Sequence, residues 1–420
     1  MSTLMTRIQH LMTGAALAAA FVAGAQTPDT PAPAPAPAAA PAAAAPAAAP
    51  AAPAAPAPLS TFVLTGPLTW VPPATFDAGP FGKLSVNGIL SGFAQFQNNA
   101  IPGDDAAQAT LSNGQIFIQK ADGPYQWYVQ AGAYTMQALG SPFTNAQNTV
   151  SNFYGPVPVA WLKIPAGKTT SFQIGQLPTL MGAESTFTYQ NFNIERGLIW
   201  NQENAVNRGI QVNQTIGKYL AASVSWNDGY YSNRYTWLSG SVTFTKGPSV
   251  LVYDGMGNLG HTVFETAATP IQNNGYMHAV IYTYTKGPWI LSPYFQYGKL
   301  PTNATVGVEK ATSATGGAFN ASYAFKSGFS IPVRVEYLTS SGSATDGSVN
   351  LLGFGAGSSG TTFTATPTYQ KGGWFTRGDL AWVHAGSFAS GDVFGKAGME
   401  ASQFRGVVEF GFIFGNNITK

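Results

Sequence analysis

The sequence predicts an all-β chain closed into a transmembrane antiparallel β-barrel of about 16 strands, and three observations carry that prediction. Tight Gly-containing turns alternate with long polar loops, charged residues make up only 9% of the 420, and aromatic residues recur beside the turns at a fixed spacing. An ordinary soluble domain carries roughly 25% charged residues. Much of this surface therefore does not face water.

The turns come first. Seven of them, at 122–124, 165–168, 217–218, 246–248, 286–288, 326–328 and 371–373, combine Gly with Lys or Asp, and each separates two alternating runs. The other connections are mostly longer and rich in Gly, Asn, Ser and Thr. Short periplasmic turns with long extracellular loops are the pattern of an outer-membrane barrel.

Runs of period two lie near 84–98, 114–121, 125–136, 156–164, 169–177, 208–216, 219–228, 235–245, 249–256, 274–285, 289–299, 316–325, 329–340, 361–370, 374–384 and 402–414. That makes sixteen strands, joined by seven turns and eight loops, with both ends on the turn side. An even number with periplasmic ends fits a bacterial barrel, and sixteen strands leave room for a water-filled channel.

Parity assigns the faces. From Phe329 to Tyr337 the odd positions are apolar and face lipid, while Ser330, Arg334 and Glu336 face the lumen. In the last strand Val408, Phe410, Phe412 and Phe414 face out, and in the seventh Leu220, Ala222, Val224 and Trp226 do so. Gly88 and Gly92 interrupt 84–98, and no face can be chosen for 156–164 or 274–285. Trp289, Phe329 and Trp374 stand beside turns, with Tyr297, Tyr337 and Trp382 eight residues further on. Eight positions on a tilted strand span about 20 Å of membrane normal, which suits two interfacial girdles.

No mature segment supplies the roughly 18 apolar residues a membrane helix needs, and the mean hydropathy is +0.03. Only a closed barrel crosses a bilayer with such sparse hydrophobicity. The chain has no Cys, which removes disulfide frameworks and thiolate metal sites.

The N-terminal region divides into parts. Arg7, the apolar run Leu11 to Val22 and Ala23-Gly24-Ala25 mark residues 1–25 as a secretory signal peptide. Losing Arg7 lowers the formal net charge from +2 to +1, so nucleic acid is not an expected partner. Residues 26–58 are almost wholly Pro and Ala and favour polyproline II, extending roughly 100 Å at ~3.1 Å per residue. They read as a periplasmic linker, either a passive spacer or one that reaches the cell wall. Residues 59–82 have no clean period, and the barrel occupies 83–420.

Catalytic, cofactor and metal sites are not expected. Two GxGxxG matches, from Gly255 and from Gly355, precede no helical pattern. His261, His278 and His384 have no ligand at metal spacing, although His278 or His384 could serve as the base of an outer-membrane hydrolase. The lumen offers better candidates. Parity places Arg334, Glu336, Arg377, Asp379, Arg405 and Glu409 on the inner face of strands thirteen, fifteen and sixteen, with Thr362, Thr364, Thr366 and Thr368 on strand fourteen. They either orient dipolar solutes or simply satisfy one another.

The loop 178–207 is the longest connection and carries Glu184, Glu195, Arg196 and Glu203, with Arg208 just beyond. It is either a solvated surface loop or a constriction folded inward on Phe187, Tyr189, Phe192 and Trp200. Gly175-Gln176-Leu177, Gly182-Ala183-Glu184, Asn191, Asn193, Arg196 and Gly209 resemble the block of the putative beta-barrel porin-2 family. The sequence departs from that block where Glu195 and Gly197 flank Arg196, where no Pro precedes the closing strand, and where Arg208 precedes Gly209.

The resemblance implies an outer-membrane porin, passing small polar solutes by passive diffusion rather than catalysing a reaction. Outer-membrane lipid, further copies of the chain and the cell wall are the other expected partners. Two alternatives stand beside it: a substrate-specific transporter with a stacking track of Tyr128, Tyr134 and Tyr294, and an adhesive barrel with a blocked lumen.

Overall fold

A strand points successive side chains to opposite faces, so each alternating run presents one apolar and one polar wall. Curling the sheet until its first and last strands pair removes the unsatisfied edges that lipid does not tolerate. The computed structural model, which describes residues 66–263 and 270–418, shows this closure with sixteen antiparallel strands. The signal-peptide and Pro/Ala segments lie outside the described residues.

The first eight barrel strands are β1 Lys83–Gln97, β2 Ala107–Lys120, β3 Gln126–Tyr134, β4 Val159–Ala166, β5 Thr170–Pro178, β6 Val206–Ile216, β7 Leu220–Asn227 and β8 Trp237–Lys246. The others are β9 Ser249–Asn258, β10 Tyr276–Lys286, β11 Trp289–Leu300, β12 Thr312–Ala324, β13 Phe329–Ser340, β14, β15 Trp374–Gly386 and β16 Ser402–Phe414. β14 comprises Ser359–Ala365 and Thr368–Lys371, both pairing with β13 and β15. The break falls at Pro367, which has no N–H for the ladder. β16 closes on β1, with Arg405 opposite Gln97 and Phe414 opposite Gly88.

Gly88 interrupts its run because the Phe414 ring lies across it. A Cβ there would sit 1.8 Å from the ring. β2 begins seven residues before its predicted start because a bulge opposite Ser91 and Gly92 shifts the register. Ser112 and Asn113 consequently both point inward and are fully buried, and the period of two is lost where the run continues.

Parity holds where it was clear. Val335, Val408, Phe410, Val224 and Trp226 are exposed on the outside, whereas Arg334, Glu336, Ser225 and Asn227 are buried. Aromatic bands ring the outside. Near the turns Trp289 meets Tyr323, and Trp374 meets Phe412, with centroids 4.7 and 4.6 Å apart. At the loop side Tyr276 packs on Tyr297, and Trp382 stacks on His384. His278 and His384 belong to this outer band, bonded to Tyr253 and Ser402 at 2.8 Å. Neither faces the lumen.

The faces of β4 and β10 are now assigned. Val159, Trp161 and Lys163 point inward on β4, as do Met277, Ala279 and Ile281 on β10. Toward the loop side both strands are apolar on the inside because the lumen is packed there: Trp161 stacks on Tyr128, and the β10 residues join a buried cluster with Leu300 and Met256.

From residue 66 on, the lead-in packs against the barrel. Ala74–Asp77 forms a short strand outside the ring, paired with the turn-side end of β1. Just before it the chain runs inside the turn-side mouth. Asn416 donates to the Pro72 carbonyl at 2.8 Å, Gln370 holds Thr69 from both sides of its peptide, and Leu68 is buried.

Candidate functional site in the lumen

The connection between β5 and β6 does not leave the barrel. Its residues 188–199 run along the inner wall of β13–β16, and four of the six predicted wall charges meet its backbone, while Arg405 binds the Glu195 side chain and Glu409 holds Arg377. Asp379 accepts from the N–H of Ile194 and of Glu195, at 3.2 and 2.8 Å. Glu336 accepts from the N–H of Leu198 and Ile199, at 3.1 and 3.4 Å. Arg377 donates to the carbonyls of Asn191 and Thr188, at 3.2 and 3.0 Å, while Glu409 holds it at 2.7 Å. Arg334 donates to the Glu195 carbonyl at 3.0 Å and pairs with Glu184 at 2.6 Å.

Carboxylates take the loop's N–H groups and guanidinium groups take its carbonyls, so an irregular backbone is satisfied at membrane depth. Charge-assisted bonds of this kind are about twice as strong as neutral ones. The threonines of β14 complete the set: Thr362 donates to Glu336 at 2.7 Å and Thr366 to Asp379 at 2.5 Å.

Arg334, Glu336, Arg377, Asp379, Arg405 and Glu409 are thus inward but no more than 2% exposed. Their partners include the loop, one another, the hydroxyls of Ser112, Thr362 and Thr366 and the Ala138 carbonyl, and they do not present a charged surface to the lumen.

The predicted loop residues are placed as follows. Glu195 pairs with Arg405 at 2.7 Å. Glu184 accepts from the Gly197 N–H at 2.7 Å as well as binding Arg334. Arg196 donates to the Thr186 carbonyl at 2.8 Å and lies 4.4 Å over the Trp200 ring, bracing the loop against itself. Glu203 accepts from Tyr294 on β11. Burial pushes its carboxyl well above the usual carboxylate range, offset in part by that hydrogen bond. Arg208 is different: it shares the outward parity of Ile210 and Val212 and is held by Asp228 at 2.8 Å and by the Tyr231 ring at 3.9 Å. It takes the outward face of β6 and does not join the loop residues on the inner wall.

Two glycines allow the close approaches. A Cβ on Gly197 would lie 2.0 Å from Glu336 Oε1, and one on Gly182, whose φ is +88°, would lie 1.8 Å from Glu203 Oε2. Two of the departures from the family block acquire a reason here. Glu195 is the partner of Arg405, and Gly197 admits Glu336.

Other contributors had little signal in the sequence. Ser112 and Asn113 on the β2 bulge bind Glu409 at 2.6 Å and Thr188 at 2.7 Å. The extracellular connections 341–358 and 387–401 bring Leu351, Leu352, Phe354 and Phe394 into one buried cluster with Leu198 and Ile199. Tyr128 and Tyr134 are fully buried and Tyr294 nearly so; they pack against the loop and their own wall and expose no stacking track.

The lumen left open is asymmetric. In the loop-side half inward side chains such as Phe93, Tyr134, Leu177, Asn207, Trp237, Met277, Leu338 and Val383 are buried. Partial exposure survives in the turn-side half of β4–β10, at Lys163, Gln173, Asn213, Ser223, Ser241, Thr243 and Thr283.

The family model for putative beta-barrel porin-2, OmpL-like, matches residues 83–414, the whole of this ring. The chain belongs to that family. This porin therefore resides in the cell outer membrane, in contact with its lipid, and serves the passage of small solutes. Among solved structures it resembles the anion-selective porin from Comamonas acidovorans, with a TM-score of 0.56 at 12% identity over 79% of this chain and 99% of that one. The outer membrane channel DcaP of Acinetobacter baumannii gives 0.56 at 10% identity over 81% and 100%. OmpT of Vibrio cholerae gives 0.52 at 9% over 79% and 98%. At these identities the likeness is one of fold. No curated protein matches the chain in sequence.

Proposed function

We propose that this porin is a passive diffusion channel for small polar solutes, not an enzyme, and that the loop between β5 and β6 sets its narrowest section. The observation that carries this reading is the seating of residues 188–199 on the charged inner wall. The loop crosses from the wall of β13–β16 toward β11, where Glu203 meets Tyr294, and leaves the turn-side half of β4–β10 open.

The wall charges serve in this reading as anchors, so ion selectivity is weak. Self-association through the outward apolar face, and a cell-wall contact by the Pro/Ala tract, belong to the same proposal. Cross-linking in native membranes tests the first and binding of purified peptidoglycan the second.

A second reading, an adhesive barrel with a blocked lumen, draws on the burial of the loop-side half. Single-channel recording on purified protein separates the two. Discrete conductance steps are expected, larger when residues 186–200 are deleted. Silence from both proteins in bilayers, with normal heat-modifiable migration on gels, would favour the blocked barrel.

A further inference from the structure

The open half of the lumen has a chemistry of its own. It is a cavity of about 550 Å³ beneath the bend of the inward loop, within the roughly 300–1,000 Å³ common for small-molecule sites. A row of uncharged hydrogen-bonding side chains crosses its wall at one level. Gln173 on β5 stands opposite Gln211 on β6, Asn213 on β6 opposite Ser223 on β7, and Ser223 opposite Ser241 on β8. Neighbouring strands are ~4.8 Å apart, so the row, with two groups on β6 and one on each of the other strands, spaces its hydrogen-bonding groups at intervals comparable with the width of a sugar ring.

The row is preorganised. Gln211 Nε2 donates to Asn213 Oδ1 at 2.7 Å and to Gln173 Oε1 at 3.2 Å, Asn213 Nδ2 donates to Gln173 Oε1 at 2.9 Å, and Ser223 Oγ donates to Asn213 Oδ1 at 2.7 Å. Within this network the Gln173 amide nitrogen gives no proton away, and Gln173 is one of the residues lining the cavity. An amide nitrogen carries two protons and its oxygen two lone pairs; with both lone pairs of Gln173 Oε1 taken by Gln211 and Asn213, Gln173 offers its N–H groups as donors to a solute's hydroxyl oxygens. Leu177, Met181 and Phe187 line the same cavity from the loop side and supply an apolar surface for the C–H face of such a molecule.

Charge argues for a neutral occupant. The ionisable groups lining the cavity are Lys163 and Glu184, and Glu184 is already paired with Arg334 at 2.6 Å. One ammonium beside a row of amides and hydroxyls gives hydrogen-bond recognition more weight than field.

We infer that this vestibule is a binding site for a neutral polyhydroxylated solute of mono- or disaccharide size, held by the Gln173–Gln211–Asn213–Ser223 row. The inference rests on the channel reading above for its transport consequence. It does not rest on it for binding.

The test uses the full purified chain and three probes: sucrose, a polyethylene glycol of the same hydrodynamic radius, and gluconate. In proteoliposomes sucrose flux is expected to saturate and to exceed polyethylene glycol flux, with gluconate a poor competitor. Calorimetric titration of sucrose into the detergent-solubilised protein should show a single site. Gln173→Leu with Asn213→Leu removes two hydrogen-bonding groups and should weaken sucrose binding about tenfold, a decade per 1.4 kcal/mol, while polyethylene glycol flux and heat-modifiable migration stay as they were.

Linear sucrose flux equal to that of polyethylene glycol, or binding unchanged in the double variant, overturns the site. Gluconate displacing sucrose at lower concentration overturns the neutral assignment. Binding without any flux or ion current would sustain the site and sink the channel reading, whereas ion current without sucrose binding would do the reverse.

Discussion

Arg405 on the closing strand meets Glu195 of the inward loop at 2.7 Å, with neither side chain exposed. The pair ties the point where the barrel closes to the element that fills it. Removing one member of a buried pair strands the other charge and costs about 3–5 kcal/mol, whereas replacing both by apolar groups of similar size is often neutral. Arg405→Ala should therefore loosen the loop, raising open-channel noise and lowering the temperature of the gel-mobility transition. Arg405→Met with Glu195→Leu should recover most of that transition. A double variant as unstable as the single one would show that the pair does not hold the loop.

Gly197→Ala probes the same seat from the loop side. The added methyl would lie 2.0 Å from Glu336 Oε1, so the carboxylate must leave the N–H groups of Leu198 and Ile199. Overpacking of this kind costs about 1–3 kcal/mol, more than an ordinary exposed Gly→Ala change. Faster proteolysis within 186–200 is expected, with the barrel itself still protected. Unchanged cleavage would mean that Glu336 is not a main anchor.

The ring was legible because lipid enforces alternation on its outer face, and Phe329–Ser340 and Ser402–Phe414 show it without interruption. Legibility failed where the inside was packed or irregular. At Ser112 and Asn113 a bulge turns two consecutive residues inward, and Trp161 and Met277 are apolar on the inside because other side chains cover them. The candidate site was half visible. Parity put Arg334, Arg377 and Arg405 on the inner wall, but period two carries no information about what lies over a wall, so their burial under the loop could not be read. Arg208 was misplaced because nearness in sequence to the loop says nothing of the face it takes. The stretch before Ala74 looked patternless because Leu68 and Trp70 fit the lumen and follow no ladder.

Trp70 gives that stretch a measurable role. Its ring lies edge-on to Phe117 of β2 at 5.3 Å and to Tyr189 of the inward loop at 5.6 Å. Two such aromatic pairs contribute roughly 1–3 kcal/mol. Trp70→Ala removes both without touching a barrel strand, so assembly should proceed normally. Increased access of a periplasmic-side thiol reagent to a cysteine placed at the neighbouring Gln190, with Tyr189 kept, is the expected readout, and equal labelling with and without Trp70 would refute the contact.

The last prediction compares two deletions. On composition the Gly- and Ser-rich connection 344–357 has little apolar surface to hold it inward, and its removal should matter less than removal of 186–200. The structure keeps that order but gives 344–357 an effect of its own, because Leu351, Leu352 and Phe354 are buried in one cluster with Leu198 and Ile199. Phe354 also limits the backbone nearby: a Cβ on Gly140 would lie 2.9 Å from its ring. Deleting 344–357 uncovers the outer mouth, while deleting 186–200 empties the lumen below it and leaves the cover without its support. Both variants keep the flanking strands and should assemble. Conductance and the size limit for neutral solutes should rise in each, with the larger rise for 186–200. If only the 186–200 deletion conducts more, the outer connection is not part of the barrier; if only the 344–357 deletion does, the barrier is the cover and the inward loop is not the narrowest section.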